Sequence, residues 1–118
     1  MTENDRIDIL LVEDNPGDIK LLTESMAEVE PRVEIHCVRD GVEAVAFLLK
    51  QAPFESAPDP AIIMLDLNLP RKSGRTVLAE IKADPQLAMT PVIVLSGSDA
   101  PQDINACYAL HANCYVVK

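Results

Sequence analysis

Five polar residues in this chain stand at the ends of short apolar runs. Glu13 and Asp14 follow ILLV, Asp66 follows AIIML, Ser96 follows PVIVL, and Lys118 follows CYVV. Carboxylates gathered at one place repel: at ~4 Å two like charges cost roughly 4 kcal/mol at an effective dielectric of about 20. One lysine cannot neutralise Glu13, Asp14 and Asp66 together, whereas a divalent cation can. Oxygen-only ligands with room for water suit Mg²⁺ better than Zn²⁺, and Mg²⁺ held this way keeps positions open for phosphate oxygens. A carboxylate can itself be a nucleophile that forms an acyl phosphate. Lysine supplies a point charge to phosphoryl oxygens, and a serine hydroxyl can donate to them.

The elements that must bring these residues together can be read from the apolar pattern. Ile7 to Val12 (IDILLV) is a buried strand, followed by the turn-rich segment EDNPGD. From Asp18, Ile19, Leu22, Met26 and Val29 recur at helical spacing until Pro31. Val33 to Val38 alternates enough for a second strand, nearer a sheet edge. Asp40 and Gly41 make a turn, and Val42, Val45, Ala46 and Leu49 mark a second helix. Residues 52–60 are a proline-rich loop. Ala61 to Leu65 is a strand ending at Asp66, residues 70–74 a loop, and Val77, Leu78 and Ile81 a third helix. Pro91 to Leu95 is a strand ending at Ser96. Gln102 to Leu110 is a helix entered through Pro101, and Cys114 to Val117 a last strand. Alternating strands and helices with continuously apolar central strands predict an α/β fold: a doubly wound, parallel, five-stranded sheet. Ligands of such sheets bind beyond the carboxyl ends of the strands, where all five polar residues fall.

The bulk properties agree. At 118 residues and 12.9 kDa the chain supports one domain, and 48% hydrophobic residues with 3% aromatics predict an aliphatic core. A net charge of −9 disfavours nucleic acid. No apolar run approaches the ~18 residues of a membrane span, and Met1 to Arg6 is no signal peptide. Cys37, Cys107 and Cys114 read as reduced thiols of a cytoplasmic protein, His36 and His111 as structural, Tyr108 as a packing residue or part of a partner surface, and the methionines as core filler.

The segments ILLVEDNPGD, IIMLDLNLPRKSG, PVIVLSGS and NCYVVK, in this order, resemble a response-regulator receiver domain (CheY-like) over the whole chain. The resemblance implies strand order 2-1-3-4-5 and a two-component signalling role in the cytoplasm. Asp66 would accept a phosphoryl group from a sensor histidine kinase. Asp14 would ligate Mg²⁺ together with Asp66 and the backbone carbonyl of Asn68, and Glu13 would act through metal-bound water. Lys118 and Ser96 would hold the phosphoryl oxygens, and Ser96 and Tyr115 would form the switch. Gly97 would leave room for the phosphoryl group, and Gly74 would allow the turn into the third helix. VEDNPGD, DLNLP, ADPQL and LHANCYVVK are similar to the single-domain regulators partnered with bacterial and cyanobacterial phytochrome kinases. Output would pass to a downstream protein partner rather than to nucleic acid or a membrane.

The chain departs from the family at its end. The final helix and the proline after the lysine are missing, so residues 1–118 are expected to be a C-terminally incomplete receiver domain with no output domain. Four buried apolar side chains on that helix would contribute roughly 6–12 kcal/mol, against a total domain stability of ~5–15 kcal/mol. A monomer lacking it is expected to be marginal and to self-associate as a homodimer. Rival readings are a Mg²⁺-dependent aspartyl-phosphate phosphatase or phosphotransferase, an unphosphorylated pseudo-receiver binding module, and a flavin domain. Asn68 stands where such phosphatases place a second acid, and an amide is no general acid. The acidic loop EDNPGD opposes a flavin phosphate.

Overall fold

A computed structural model describes residues 6–118. The elements are β1 (Ile7–Val12), α1 (Pro16–Val29), β2 (Val33–Val38), α2 (Gly41–Leu48), β3 (Ile62–Asp66), α3 (Gly74–Ala83), β4 (Val92–Ser96), α4 (Pro101–Ala109) and β5 (Cys114–Val117). The five strands form one parallel sheet in the order β2-β1-β3-β4-β5, as the resemblance implies.

One face of the sheet carries the main core. Leu10, Val12, Ile63, Leu65, Val92 and Val94 point to this side and are fully buried against Val77 and Leu78 of α3, with Ala44 and Phe47 of α2 and Cys107 of α4. The other face is covered more thinly. Helix α1 contributes no buried residue, Met64 and Ile93 are half-buried, and Val116 is exposed. Cys37, Cys107 and Cys114 are free thiols.

Local chemistry moves several element boundaries from where the apolar pattern put them. Helix α1 starts at Pro16 rather than Asp18, because Asn15 caps it: its side-chain oxygen accepts the Asp18 amide at 3.0 Å. Pro16 then occupies the first turn, where its missing N–H costs nothing. Asp40 and Gly41 are not a free turn. Asp40 is the N-cap of α2, accepting from the Glu43 amide at 2.8 Å, and Gly41 is the first helical residue. A Cβ at Gly41 would come within 2.4 Å of the Lys72 carbonyl, so the close approach of the β3–α3 loop requires glycine there. β3 and β4 end at Asp66 and Ser96 as expected, because the ladder extends to them, but they start one residue later, at Ile62 and Val92. One packing expectation fails: Met89 lies in the α3–β4 connection with 87% of its surface exposed, whereas Tyr108, 47% exposed, stands half outside the core and its hydroxyl accepts the Tyr115 amide at 3.2 Å.

Candidate functional site

The register assembles the site. Val12 pairs with Leu65 and Leu65 with Val94, so the next residue on β1, Glu13, emerges beside Asp66. The Glu13 amide continues the β1–β2 ladder by donating to the Val38 carbonyl at 3.0 Å. On the far side Ser96 pairs with Val117, and the Lys118 amide donates to the Ser96 carbonyl at 2.7 Å. Backbone pairing thus fixes Glu13, Asp66, Ser96 and Lys118 along one edge. Glu13, Asp14 and Asp66 each place a carboxylate oxygen within 4.8 Å of the others. Glu13, Asp66 and Ser96 are buried, and Asp14 is exposed.

The Lys118 ammonium lies among the acids. Its Nζ donates to Glu13 at 3.0 and 3.2 Å, to Asp18 at 3.1 Å and to Asp66 Oδ2 at 3.3 Å. Burial of the Glu13 side chain, only 1% exposed, together with the neighbouring Asp66 pushes its carboxyl up to about 7 despite the lysine. Burial works against the Lys118 charge, but its carboxylate partners outweigh it and hold the ammonium above the ordinary lysine range. The group therefore carries more negative charge than one lysine balances, as the sequence implies.

The other Asp66 oxygen, Oδ1, accepts the backbone N–H of Asn68 at 3.0 Å. That amide is presented by a tight β3–α3 loop, closed where the Gly74 amide donates to the Leu67 carbonyl at 3.1 Å. Gly74 has no left-handed φ, so it is not needed for an unusual turn. A Cβ there would lie 2.4 Å from the Asp66 carbonyl oxygen and 2.6 Å from Leu67 Cα, so its lack of a side chain lets α3 start against the end of β3. A Cβ on Gly97 would meet nothing within 4 Å, consistent with open space beside Ser96.

On the α4 side Ser96 Oγ accepts the Ser98 amide at 3.1 Å, and Tyr115 donates its hydroxyl to the Ser98 carbonyl at 2.9 Å. The Ser98 hydroxyl donates to Asp103, which also receives Arg75 from α3. These donors hold the Asp103 carboxyl below the usual range. An open cleft of about 250 Å³, lined by Asn68, Arg75, Ser96, Ser98 and Asp103 among others, adjoins the site. A larger groove of about 470 Å³, lined by Leu48, Asp59, Gln86 and Thr90 among others, lies at the opposite edge of the sheet.

Glu13, Asp14, Asp66, Asn68, Ser96 and Lys118 lie at this edge or in its loops, while Tyr115 lies within β5 and only its hydroxyl reaches the edge, at Ser98. Sequence reasoning missed Asp18, although a signal was present: a helix starting at Pro16 presents its first turn to the carboxyl edge. It also missed Arg75, Ser98 and Asp103. His36 bonds Asp8 at 2.8 Å and packs on Phe47 with ring centroids 5.7 Å apart, a structural role. Asp8, Glu34 and His36 form a second cluster at the amino edge, where Arg6 bridges Asp8 and Glu34.

Glu13, Asp14 and Asp66 offer only oxygen ligands, and their charge exceeds what Lys118 neutralises. That donor set fits a hard divalent cation.

Known proteins give a consistent comparison. The response regulator receiver domain pattern matches residues 9–118. The response regulator Rcp1 of Synechocystis is 48% identical over 110 residues, covering 93% of this chain and 75% of Rcp1. The crystal structure of the phosphorylated cyanobacterial phytochrome response regulator RcpA superposes with a TM-score of 0.91 at 50% identity, over 96% of this chain and 81% of RcpA. The Mn²⁺-bound form of Rcp1 gives 0.91 at 47% identity, over 95% and 81% of the two chains.

Proposed function

The chain belongs to the response regulator receiver domain family of two-component systems, and from that premise we propose that Asp66 is its phosphoacceptor. The observation that carries this reading is the buried Asp66 carboxylate, held on one oxygen by the Asn68 amide and facing the Lys118 ammonium on the other. A carboxylate so fixed is ready for in-line attack on phosphorus. An Asp66 oxygen forms the new P–O bond as the P–N bond of a kinase phosphohistidine breaks. The electron pair leaves on the imidazole nitrogen, which takes up a proton.

Lys118 supplies positive charge to the transferring phosphoryl oxygens, and Ser96 donates its hydroxyl to one of them. Asp14, Asp66 and the Asn68 carbonyl would hold Mg²⁺, with Glu13 acting through bound water. The cation would supply charge neutralisation between the acids and the phosphoryl group. Asn68 offers no general acid, so external phosphomonoesters are not turned over, and loss of the phosphoryl group is slow self-hydrolysis.

The donor in this reading is a sensor histidine kinase of the phytochrome type, because RcpA is named a phytochrome response regulator. Output runs through protein contacts made around α4 and β5. Formation of the acyl phosphate draws Ser96 toward it and reorients Tyr115, which is joined to the same loop through Ser98. Intact mass after incubation with acetyl phosphate and Mg²⁺ tests the proposal. A gain of one phosphoryl group is expected, and none in Asp66→Ala. No gain with any donor would leave only a binding module.

A further inference from the structure

Asp18 belongs to the turn-rich segment EDNPGD, yet the phosphoacceptor chemistry leaves it without a task. Its carboxylate receives the Lys118 ammonium at 3.1 Å across the gap between α1 and the end of β5. Its backbone is fixed as well, by the Asn15 cap on its amide at 3.0 Å and by Pro16. Lys118 has three N–H donors and meets carboxylates of Glu13, Asp18 and Asp66. These partners are not equivalent. On the proposed function Glu13 turns to metal-bound water, and Asp66 loses its charge on becoming an acyl phosphate. Asp18 lies outside the Glu13, Asp14 and Asp66 cluster, so it alone keeps a full charge free for the lysine.

We propose that Asp18 is a positioning residue that holds Lys118 over the phosphoryl group while metal and phosphoryl group claim its other partners. This rests on the phosphoacceptor reading. The lysine carries four methylenes and is 28% exposed, so without that tether it has room to swing toward solvent. Asp18 acts through the lysine and touches neither the metal nor the reacting atoms.

The test compares wild type, Asp18→Asn and Asp18→Glu. Affinity for beryllofluoride, a phosphoryl mimic, is measured by calorimetry at saturating Mg²⁺. The phosphorylation rate with acetyl phosphate is measured by intact mass across a Mg²⁺ titration. Asp18→Asn is expected to weaken beryllofluoride binding and slow phosphorylation about fivefold, the equivalent of the ~1 kcal/mol reached by the better partly exposed ion pairs. The half-saturating Mg²⁺ concentration stays unchanged, and Asp18→Glu recovers most of the loss. A merely structural ion pair would move the melting temperature without separating these readouts. Asp18→Asn equal to or faster than wild type overturns the role, as does a loss confined to Mg²⁺ half-saturation. A wild-type protein taking up neither beryllofluoride nor a phosphoryl group overturns the phosphoacceptor reading itself, and the role of Asp18 with it.

Discussion

Gly74→Ala probes how the strand that ends in Asp66 is braced. The added Cβ would stand 2.4 Å from the Asp66 carbonyl oxygen and 2.6 Å from Leu67 Cα. Non-bonded carbons settle at ~3.5–4.0 Å, so the backbone at Leu67 must retreat by about 1 Å. Both atoms belong to the backbone, and no flexible side chain can turn aside. The cost falls at the upper end of the ~1–3 kcal/mol for overpacking. Alanine recovers at most the ~1 kcal/mol it gains over glycine in a helix interior, since Gly74 is the first residue of α3, and no left-handed φ complicates the exchange. The net loss is about 2 kcal/mol, which at ~4 °C per kcal/mol lowers the melting temperature by about 8 °C. Misplacement by about 1 Å next to Asp66 also slows phosphorylation, by up to ~100-fold. Differential scanning calorimetry and the acetyl phosphate reaction measure the two effects. Gly97→Ala is the stability control, since its Cβ meets nothing within 4 Å, and its unfolding free energy stays within about 0.5 kcal/mol of wild type. A Gly74→Ala protein melting at or above wild type would refute the close-approach argument.

Three further outcomes follow from the site. The Glu13 carboxyl is raised from 4.5 to about 7, so the stability it contributes is fully present below 4.5 and is lost as pH rises through 7. In metal-free urea unfolding at a series of pH values, Glu13→Gln flattens this decline across the same window, and an unchanged slope would remove Glu13 as its source. Mg²⁺, which needs the ionised carboxylates, raises the melting temperature more at pH 8 than at pH 6. Tyr115→Phe removes the hydroxyl bond to the Ser98 carbonyl and costs about 1 kcal/mol in urea unfolding. No change in stability would show that this contact contributes nothing net.

Much of the molecule follows from short-range pattern. The runs IDILLV and VEIHCV become β1 and β2 with the expected bounds, because apolar and β-branched stretches between turn residues have few other low-energy states. The placement of Glu13, Asp66, Ser96 and Lys118 at strand ends was legible for the same reason, since the residue after a buried run must leave the sheet at its carboxyl edge. The misplaced helix starts were decided by single hydrogen bonds. The Asn15 and Asp40 side chains cap backbone amides, which apolar periodicity does not register. Met89 was misjudged because side-chain type alone does not say which surface a loop presents.

The sequence by itself determined the alternation of strands and helices, the chemistry available at the strand ends and the excess of acid over base. Those properties depend on residue type and on neighbours a few positions away. Only the tertiary structure decided which acids share the lysine, why position 74 excludes a side chain, and how Tyr115 reaches Ser98. Asp18 and Lys118 are 100 residues apart in sequence and 3.1 Å apart in space. That distance follows from the stacking of parallel strands and the angle at which α1 leaves the sheet, and no local spacing encodes it.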